Sequence, residues 1–197
     1  MLKLVVASKN SGKIKEFQRI LQLDSQGIEL VIDVEIPEVA ETGSTFEENA
    51  LLKATSIAKL TGIPAIADDS GLAIDFLNGA PGILSARWSG GGDMENIKKV
   101  LDEIKDVPET KRGAKFIAVI ALAKPTGENV IVRGELQGRI RRSPAGKNGF
   151  GYDPIFEPIS GDGRTLAELD PSEKDAISHR SLALAQITPL IKPFLSN

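Results

Sequence analysis

Two adjacent carboxylates, Asp68 and Asp69, are the residues of this sequence best suited to chemistry. They follow the short apolar run at residues 64–67 in the segment PAIADDSGL, and Ser70 and Gly71 come directly after them. We expect the run to be a buried strand with the acids at its carboxyl end, where α/β proteins place their ligand crevices. Two interpretations stay open: an acidic turn with Gly71 at positive φ, or a site where one acid binds a metal ion and activates a water.

A second candidate is the polar segment SKNSGK, which follows an apolar run at residues 2–7. A turn that leads from a strand into a helix offers backbone N–H groups and the positive end of the helix dipole to an anion. Lys9 and Lys13 add positive charge to this turn, and Ser8, Asn10 and Ser11 add hydrogen-bond donors. The glycine spacing of a P-loop is missing, so an ordinary solvated turn is an equal alternative.

The segment ETGSTFEENALLKA supplies a further acid and a further base. Thr45 and Glu48 predict a capping box at the start of a helix, which accounts for the acids of that first turn. Glu41 precedes the helix and has no part in the capping, so it is a candidate metal ligand. Lys53 lies about two turns into the helix, where a surface charge is the simpler interpretation.

Aromatic residues flanked by glycines occur in the segment NGFGYDP. Phe150 and Tyr152 are suited to stacking on a planar ligand, and packing into the core is the alternative. His179, the single histidine, precedes Arg180, and a structural hydrogen-bonding role is expected for a lone histidine in that position. A serine hydrolase is rejected because the chain has no G-x-S-x-G motif.

The elements that must position these residues alternate between strand and helix in the first half of the chain. We predict strands at residues 2–7 and 28–36, helices at 11–23 and from Thr45 to about Gly62, a hairpin at 114–136, and a helix that starts at Asp170 and breaks near Ser178. The early alternation favours parallel pairing, whereas the hairpin is antiparallel. The expected class is therefore α/β, with a mixed β-sheet and flanking helices.

Composition limits the classes of function. The 197 residues suffice for one domain, residues 1–197, and a net charge of −3 gives no general electrostatic case for binding nucleic acid or a membrane. The chain has no cysteine, which excludes disulfides, thiolate nucleophiles and cysteine metal sites. No apolar stretch approaches the roughly 20 residues of a membrane span, and the N-terminus lacks a secretory apolar region. A cytoplasmic location is expected.

Six segments, taken in their order, resemble the inosine triphosphate pyrophosphatase family, which includes the dITP/XTP pyrophosphatases. They are ASKNSGKIKEF, ETGSTFEENALLKA, IADDSGLAID, GAPGILSARW, GFGYDPIF and SEKDAISHRSLAL, and together they cover roughly residues 2–184. The resemblance implies an elongated α/β fold with two lobes around a central nucleotide cleft, usually as a homodimer. It also implies Mg²⁺-dependent hydrolysis of ITP, dITP and XTP to the nucleoside monophosphate and pyrophosphate.

The same resemblance implies roles for individual residues. Asp69 is the base for the attacking water with Asp68 in support, while Glu41 and Asp69 bind the metal. The residues that hold the triphosphate are Ser8, Lys9, Asn10, Ser11, Gly12, Lys13 and Lys53. The remaining substrate-binding residues are Ser70, Phe150, Gly151, Tyr152, Asp153, Lys174, His179 and Arg180, among which Phe150 stacks on the purine.

Two other functions compete with this interpretation. One is a Maf-like nucleotide pyrophosphatase acting on modified pyrimidine or common nucleotides. The other is a nucleotide-binding regulator that uses the phosphate-binding segment without catalysis. Asp69 and Glu41 argue against the regulator, because binding alone does not require a carboxylate that activates water.

Overall fold

A computed structural model gives the structure of the chain and describes residues 1–32, 34 and 36–196. The strands are β1 (Leu2–Val6), β2 (Ile28–Val31), β3 (Ala65–Ile74), β4 (Gly113–Ala123), β5 (Asn129–Ile140) and β6 (Phe156–Pro158). The helices are α1 (Ser11–Leu21), α2 (Phe46–Thr61), α3 (Asp93–Glu103), α4 (Pro171–Ile177) and α5 (His179–Ser196). No helix in the described ranges is both long and apolar enough to cross a membrane.

The strands form one sheet in the order β2-β1-β3-β4-β5-β6. Strand β1 pairs in parallel with β2 and β3, whereas β6 pairs antiparallel with β5, so the predicted mixed α/β sheet is confirmed. The turn between β4 and β5 is closed by the Lys124 N–H, which donates to the Glu128 carbonyl at 2.9 Å. Strand β2 is shorter than the predicted residues 28–36, of which Asp33 and Glu35 lie outside the described part.

The prediction that the strand stops at Asp68 and Asp69 is wrong. Strand β3 continues through both acids to Ile74, and only Ser70 within it is not buried. Gly71 is absent from the glycines with positive φ, so the acidic turn is also excluded. The strand can continue because Lys13, Arg180 and Lys53 lie beside the two acids and compensate their charges. Since neighbouring side chains of a strand point to opposite faces, the two carboxylates meet different surroundings.

The chain divides into two compact units, each with its own core. The first unit contains Met1–Asp69, Ala118–Gly134 and Arg180–Asn197, and the second contains Ser70–Ile117 and Glu135–His179. The first core includes Leu4, Phe17, Ile66, Ile120, Leu184 and Ile187. The second core includes Leu72, Ile97, Phe116, Tyr152, Ile155 and Phe156.

Helix α2 begins as predicted, with one difference in its cap. The Thr45 hydroxyl accepts from the Glu48 N–H at 3.1 Å, which satisfies one of the donors left open at a helix start. The Glu48 carboxylate accepts from the N–H and hydroxyl of Ser44 at 2.6 and 2.8 Å, rather than closing the predicted box on Thr45. The hydrogen bonds of the cap therefore include Ser44, one residue closer to Glu41 than the predicted Thr45.

The predicted break at Ser178 is confirmed and determines where α5 starts. Helix α4 has the expected capping box between Asp170 and Glu173, with Pro171 at its first position. Ser178 has an extended backbone with φ −66° and ψ 152°, so the helix stops there and α5 begins at His179. His179 and Arg180 consequently lie in the first turn of a helix.

Two glycines with positive φ provide a matched test of the close approach at Gly146. A Cβ on Gly146 (φ +83°) would lie 2.2 Å from backbone atoms of Ala167, whereas one on Gly62 (φ +67°) would meet nothing within 4 Å. We expect Gly62→Ala to lower the free energy of unfolding by about 1 kcal/mol, and Gly146→Ala to cost about 2–3 kcal/mol more through overpacking. Urea unfolding followed by the fluorescence of Trp88 measures both. Equal losses would contradict the close approach.

Candidate active site

Asp68 belongs to a buried ionic network in the first unit. Its Oδ2 accepts from Nε and Nη2 of Arg180 at 3.1 and 2.9 Å, and its Oδ1 lies 3.1 Å from Nζ of Lys13. Arg180 also donates through Nη1 to Oε2 of Glu16. Asp68, Glu16 and Arg180 are all buried. Two acids and two bases therefore neutralise one another inside the fold.

The charges of this network determine the ionisation of Asp68. Burial alone would raise the pKa of Asp68, but the charges of Lys13 and Arg180 outweigh burial and hold that pKa well below its usual range. Burial would lower the pKa of Arg180, but Asp68 and Glu16 outweigh it and raise that pKa. Asp68 is therefore ionised near neutral pH and committed to its partners, which makes it a poor proton acceptor.

Asp69 has a separate set of partners on the other face of β3. Its Oδ1 is 3.0 Å from Nζ of Lys53, and that ammonium is 2.8 Å from Oε1 of Glu41. The side-chain amide of Asn49 donates to Asp69 Oδ2 at 3.3 Å, and its oxygen accepts from the N–H of Gly43 at 2.9 Å. The carboxylates of Asp69 and Glu41 thus converge on one ammonium, and Asn49 connects Asp69 to the loop that carries Glu41.

Burial raises the pKa of Asp69, and the negative charge of Glu41 adds to the increase, while Lys53 opposes it. The direction is opposite to that of Asp68, although the two residues are neighbours in sequence. A carboxylate with a raised pKa accepts a proton from water more readily than an ordinary one. Asp69 is therefore the better base of the pair.

The donor set around Asp69 fits a magnesium ion that is bound together with a phosphate. No group of three potential ligands among histidine, cysteine, aspartate and glutamate occurs in the described residues. Magnesium typically takes only one or two protein carboxylates and fills its other positions with phosphate oxygens and waters. Glu41 and Asp69 are two such carboxylates, and Lys53 shows by its contacts that a cation is held between them.

The segment that precedes α1 has the predicted character of a helix N-terminus. The Asn10 side chain caps α1 by accepting from the Lys13 N–H at 3.1 Å, and the Ser8 hydroxyl accepts from the Asn10 N–H at 3.2 Å. Ser11, Gly12 and Lys13 form the first turn of α1. Ser8 and Lys9 line a cavity of about 760 Å³ in the first unit; its other lining residues are Ile14, Ile32, Val34, Ile36, Pro37 and Leu60.

A second cluster surrounds Phe150 in the second unit. Asp153 Oδ2 accepts from the Phe150 N–H at 2.9 Å and from Nζ of Lys174 at 2.6 Å. The Lys174 ammonium lies 4.7 Å from the centre of the Phe150 ring, a cation–π distance. A Cβ added to Gly149 (φ +74°) would lie 2.0 Å from Asp153 Oδ2 and would displace this carboxylate from its partners. The sequence segment NGFGYDP therefore folds around its own aspartate.

Tyr152 and His179 lie against the core of the second unit, and Ser70 begins that unit. The Tyr152 hydroxyl donates to the Ser85 carbonyl at 2.8 Å, and burial raises the pKa of Tyr152 above its usual range, so the phenol is neutral. The His179 ring stacks on Phe116, with ring centres 4.7 Å apart and an interplanar angle of 12°. Ser70 directly follows Asp69 in β3 and is partly exposed.

The sequence interpretation missed two residues of these networks, Glu16 and Asn49. Glu16 follows Lys13 by three residues on α1, and Asn49 precedes Lys53 by four on α2. Residues at such spacings share a helix face. A polar residue on the same face as a candidate lysine was the signal that could have identified both, since buried polar groups need partners.

Comparison with known proteins gives matches over nearly the whole chain. The model of the Ham1 family matches residues 4–190. A dITP/XTP pyrophosphatase of Mycobacteroides abscessus is 51% identical over 197 residues, which cover 97% of this chain and 95% of the relative. One of Streptomyces avermitilis is 49% identical over 202 residues, covering 99% and 100%.

Solved structures give the same result. The structure of a HAM1 protein from Coxiella burnetii has a TM-score of 0.88 and 47% identity, and the match covers 98% of this chain and 100% of that one. The nucleoside-triphosphatase / dITP/XTP pyrophosphatase from Mycobacterium abscessus has a TM-score of 0.76 and 50% identity, with coverage of 96% and 100%. These two structures confirm the expected α/β class with a mixed sheet and flanking helices.

The buried network predicts a large loss of stability on neutralising Asp68. Asp68→Asn leaves Arg180 and Lys13 without their shared counter-charge, and we expect it to lower the free energy of unfolding by about 3–5 kcal/mol. Asp102→Asn is the matched control, since Asp102 pairs with Lys98 in an exposed bridge on α3 and its loss should change stability little. Urea unfolding at neutral pH measures both, and similar small losses would contradict the network.

Wild type and Asp68→Asn together also test whether the pKa of Asp68 is lowered in the folded protein. A depressed pKa in the folded state stabilises the fold above the ordinary value of 3.8, and this contribution is lost as pH falls towards the folded value. We therefore expect the difference in unfolding free energy between wild type and Asp68→Asn to shrink between pH 6 and about pH 3. A difference that stays constant would mean that Asp68 has an ordinary pKa.

Proposed function

Because the chain belongs to the Ham1 family, we propose that it hydrolyses nonstandard purine nucleoside triphosphates, such as dITP, XTP and ITP, to the monophosphate and pyrophosphate. The chain is then a hydrolase acting on acid anhydrides, like the relatives named dITP/XTP pyrophosphatase. The observation that carries the proposal is the convergence of Asp69 and Glu41 on Lys53, with Asp69 the acid whose pKa is raised.

The triphosphate would bind at the N-terminus of α1 and at Lys53. A triphosphate carries about four negative charges, which favour helix N–H groups and lysines. Asn10 already satisfies the N–H of Lys13, so the proposed backbone donors are those of Ser11 and Gly12. The full proposed set is Ser8, Lys9, Asn10, Ser11, Gly12, Lys13 and Lys53, with Ser70 also in contact with the substrate.

In the proposed reaction, a water loses its proton to the Asp69 carboxylate. The water oxygen forms a bond to the α phosphorus while the bond from that phosphorus to the bridging oxygen breaks, and pyrophosphate leaves with the electron pair. Glu41 and Asp69 would hold Mg²⁺, which when bound neutralises phosphate charge and lowers the pKa of a bound water. Asp68 supports the reaction by keeping Lys13 and Arg180 in place.

The purine would be recognised by the loop that carries Phe150. We propose that the ring of Phe150 stacks on the base, with Lys174 and Asp153 holding the loop, Gly151 giving it its turn and Tyr152 anchoring it in the core. His179 and Arg180 are proposed donors to the 6-keto oxygen. A 6-amino group would face these donors with a donor of its own, which disfavours adenine.

The remaining parts of the proposal concern the whole protein. Residues 1–197 would act as one pyrophosphatase domain made of two lobes, in the cytoplasm and as a homodimer. Nucleic acid and membranes are not expected partners, because the net charge is only −3. Light scattering of the purified protein measures the dimer directly, and a monomeric mass at assay concentrations would overturn that part.

The reaction is tested by incubating the protein with Mg²⁺ and, separately, ITP, XTP, dITP, GTP, ATP, dTTP and UTP. We expect pyrophosphate and the monophosphate from ITP, XTP and dITP, with much slower turnover of the others. Pyrophosphate and orthophosphate are separated chromatographically. Orthophosphate as the first product would show cleavage at the γ position, and faster turnover of dTTP or UTP would favour a Maf-like enzyme.

Asp69→Asn tests the base. We expect kcat to fall by about 10²–10⁴-fold, because general-base catalysis typically contributes that much, while ITP still binds. Calorimetry measures binding, and pyrophosphate release measures turnover. Glu47→Gln is the matched control, since Glu47 pairs with Arg133 on the same unit and the change is also from acid to amide. Binding without turnover in wild type would instead favour a nucleotide-binding regulator.

A further inference from the structure

Asp93, the first residue of α3, makes a contact with the loop of Phe150 that the proposed reaction has not used. Its Oδ2 accepts from the backbone N–H of Gly151 at 2.7 Å, across 58 residues of sequence. Both residues belong to the second unit. A hydrogen bond from an amide to an ionised carboxylate is among the stronger ones in proteins. An exposed aspartate thus binds the backbone next to the residue proposed to stack on the purine.

The two peptide planes on either side of Phe150 are each held by a carboxylate. The Phe150 N–H belongs to the plane before its Cα and donates to Asp153 at 2.9 Å. The Gly151 N–H belongs to the plane after it and donates to Asp93. Because peptide groups are planar, fixing both planes fixes φ and ψ of Phe150, and with them the direction of its Cα–Cβ bond.

The loop needs such restraints because glycine flanks Phe150 on both sides. Gly149 and Gly151 have φ of +74° and +60°, which glycine adopts without strain but also leaves easily. An added Cβ on Gly151 would meet nothing within 4 Å, so the space on that side of the backbone is open. The carbonyl of Phe150 belongs to the same plane and accepts from the Asp153 N–H at 3.3 Å. The bond from Gly151 to Asp93, at 2.7 Å, is the shorter of the two restraints on this plane, and it is the one that ties the plane to α3.

Helix α3 has other residues that secure its start, so Asp93 is available for the loop. The Glu95 carboxylate accepts from the Gly92 N–H at 3.1 Å. The Asn96 side chain accepts from the N–H and hydroxyl of Ser89 at 2.8 and 2.7 Å and donates to the Ala86 carbonyl at 3.2 Å. Asp93 thus stands on a fixed support, as a residue that positions another must.

We propose that Asp93 is a positioning residue for base recognition, which sets the orientation of the Phe150 ring by holding the peptide plane between Phe150 and Gly151. This inference rests on the proposed role of Phe150 in binding the purine. It assigns no contact with substrate to Asp93 itself. The negative charge of Asp93 also contributes, after burial, to the raised pKa of Tyr152, as expected for a carboxylate at this loop.

The test compares Asp93→Ala, Asp93→Asn and Glu95→Ala. Asp93→Ala should raise KM for ITP about tenfold, equivalent to about 1.4 kcal/mol, with kcat within about twofold. It should also reduce the preference for ITP over ATP, because a displaced Phe150 ring no longer aligns the edge of the base with the proposed donors His179 and Arg180. Asp93→Asn keeps an acceptor oxygen and should restore most of the affinity. Glu95→Ala removes another carboxylate from the same helix start and breaks only its bond to the Gly92 N–H. Asn96 still holds this helix start to Ser89 and Ala86, so KM should stay unchanged.

Hydrogen exchange of the Gly151 amide is the second measurement, and it does not depend on activity. We expect faster exchange in Asp93→Ala, and near-wild-type exchange in Asp93→Asn and Glu95→Ala. If Asp93→Ala exchanges faster but its KM stays as low as that of Glu95→Ala, the positioning role is overturned. If exchange in Asp93→Ala is unchanged, the contact itself is overturned. Wild-type protein that releases no pyrophosphate from ITP or XTP would overturn the proposed function instead, and the exchange data would still decide whether Asp93 holds the loop.

Discussion

The burial of two adjacent carboxylates in the middle of β3 is the constraint on which the candidate site depends. An unpaired buried carboxylate is very unfavourable, so each acid requires a cation from another element. Strand geometry sends the two side chains to opposite faces, and each therefore needs its own cation. Asp68 is compensated by Lys13 from α1 and Arg180 from α5, and Asp69 by Lys53 from α2. Three helices are thereby tied to one strand.

The same geometry separates the chemistry of the two acids. Asp68 has two full cations close to it, which outweigh burial and keep it ionised. Asp69 shares one ammonium with Glu41, so burial and the charge of Glu41 together raise the pKa of Asp69. Neighbours in sequence thus become a fixed anion and a candidate base. The two residue types are identical, so the difference comes from their surroundings: Asp68 is in direct contact with two cations, whereas Asp69 is in contact with one that it shares with Glu41.

Local patterns predicted the helix starts and the break at Ser178, because caps and extended residues depend on a few neighbouring residues. The course of β3 was not predicted, because an acidic pair after an apolar run looks like a strand end unless its distant cations are known. Arg180 is 112 residues from Asp68, a separation at which spacing carries no signal. The resemblance to a known family favoured Asp69 over Asp68 as the base. The different contacts of the two carboxylates offer a physical reason for that choice.

Adjacent residues with different partners occur again at the start of α5. Successive residues of a helix are rotated by about 100°, so His179 and Arg180 cannot point the same way. His179 stacks on Phe116 in the second unit, while Arg180 reaches Asp68 and Glu16 in the first. Because Ser178 is extended, α5 begins with this pair, and both side chains project from its first turn. The helix break at Ser178 therefore sets the position from which Arg180 contacts Asp68.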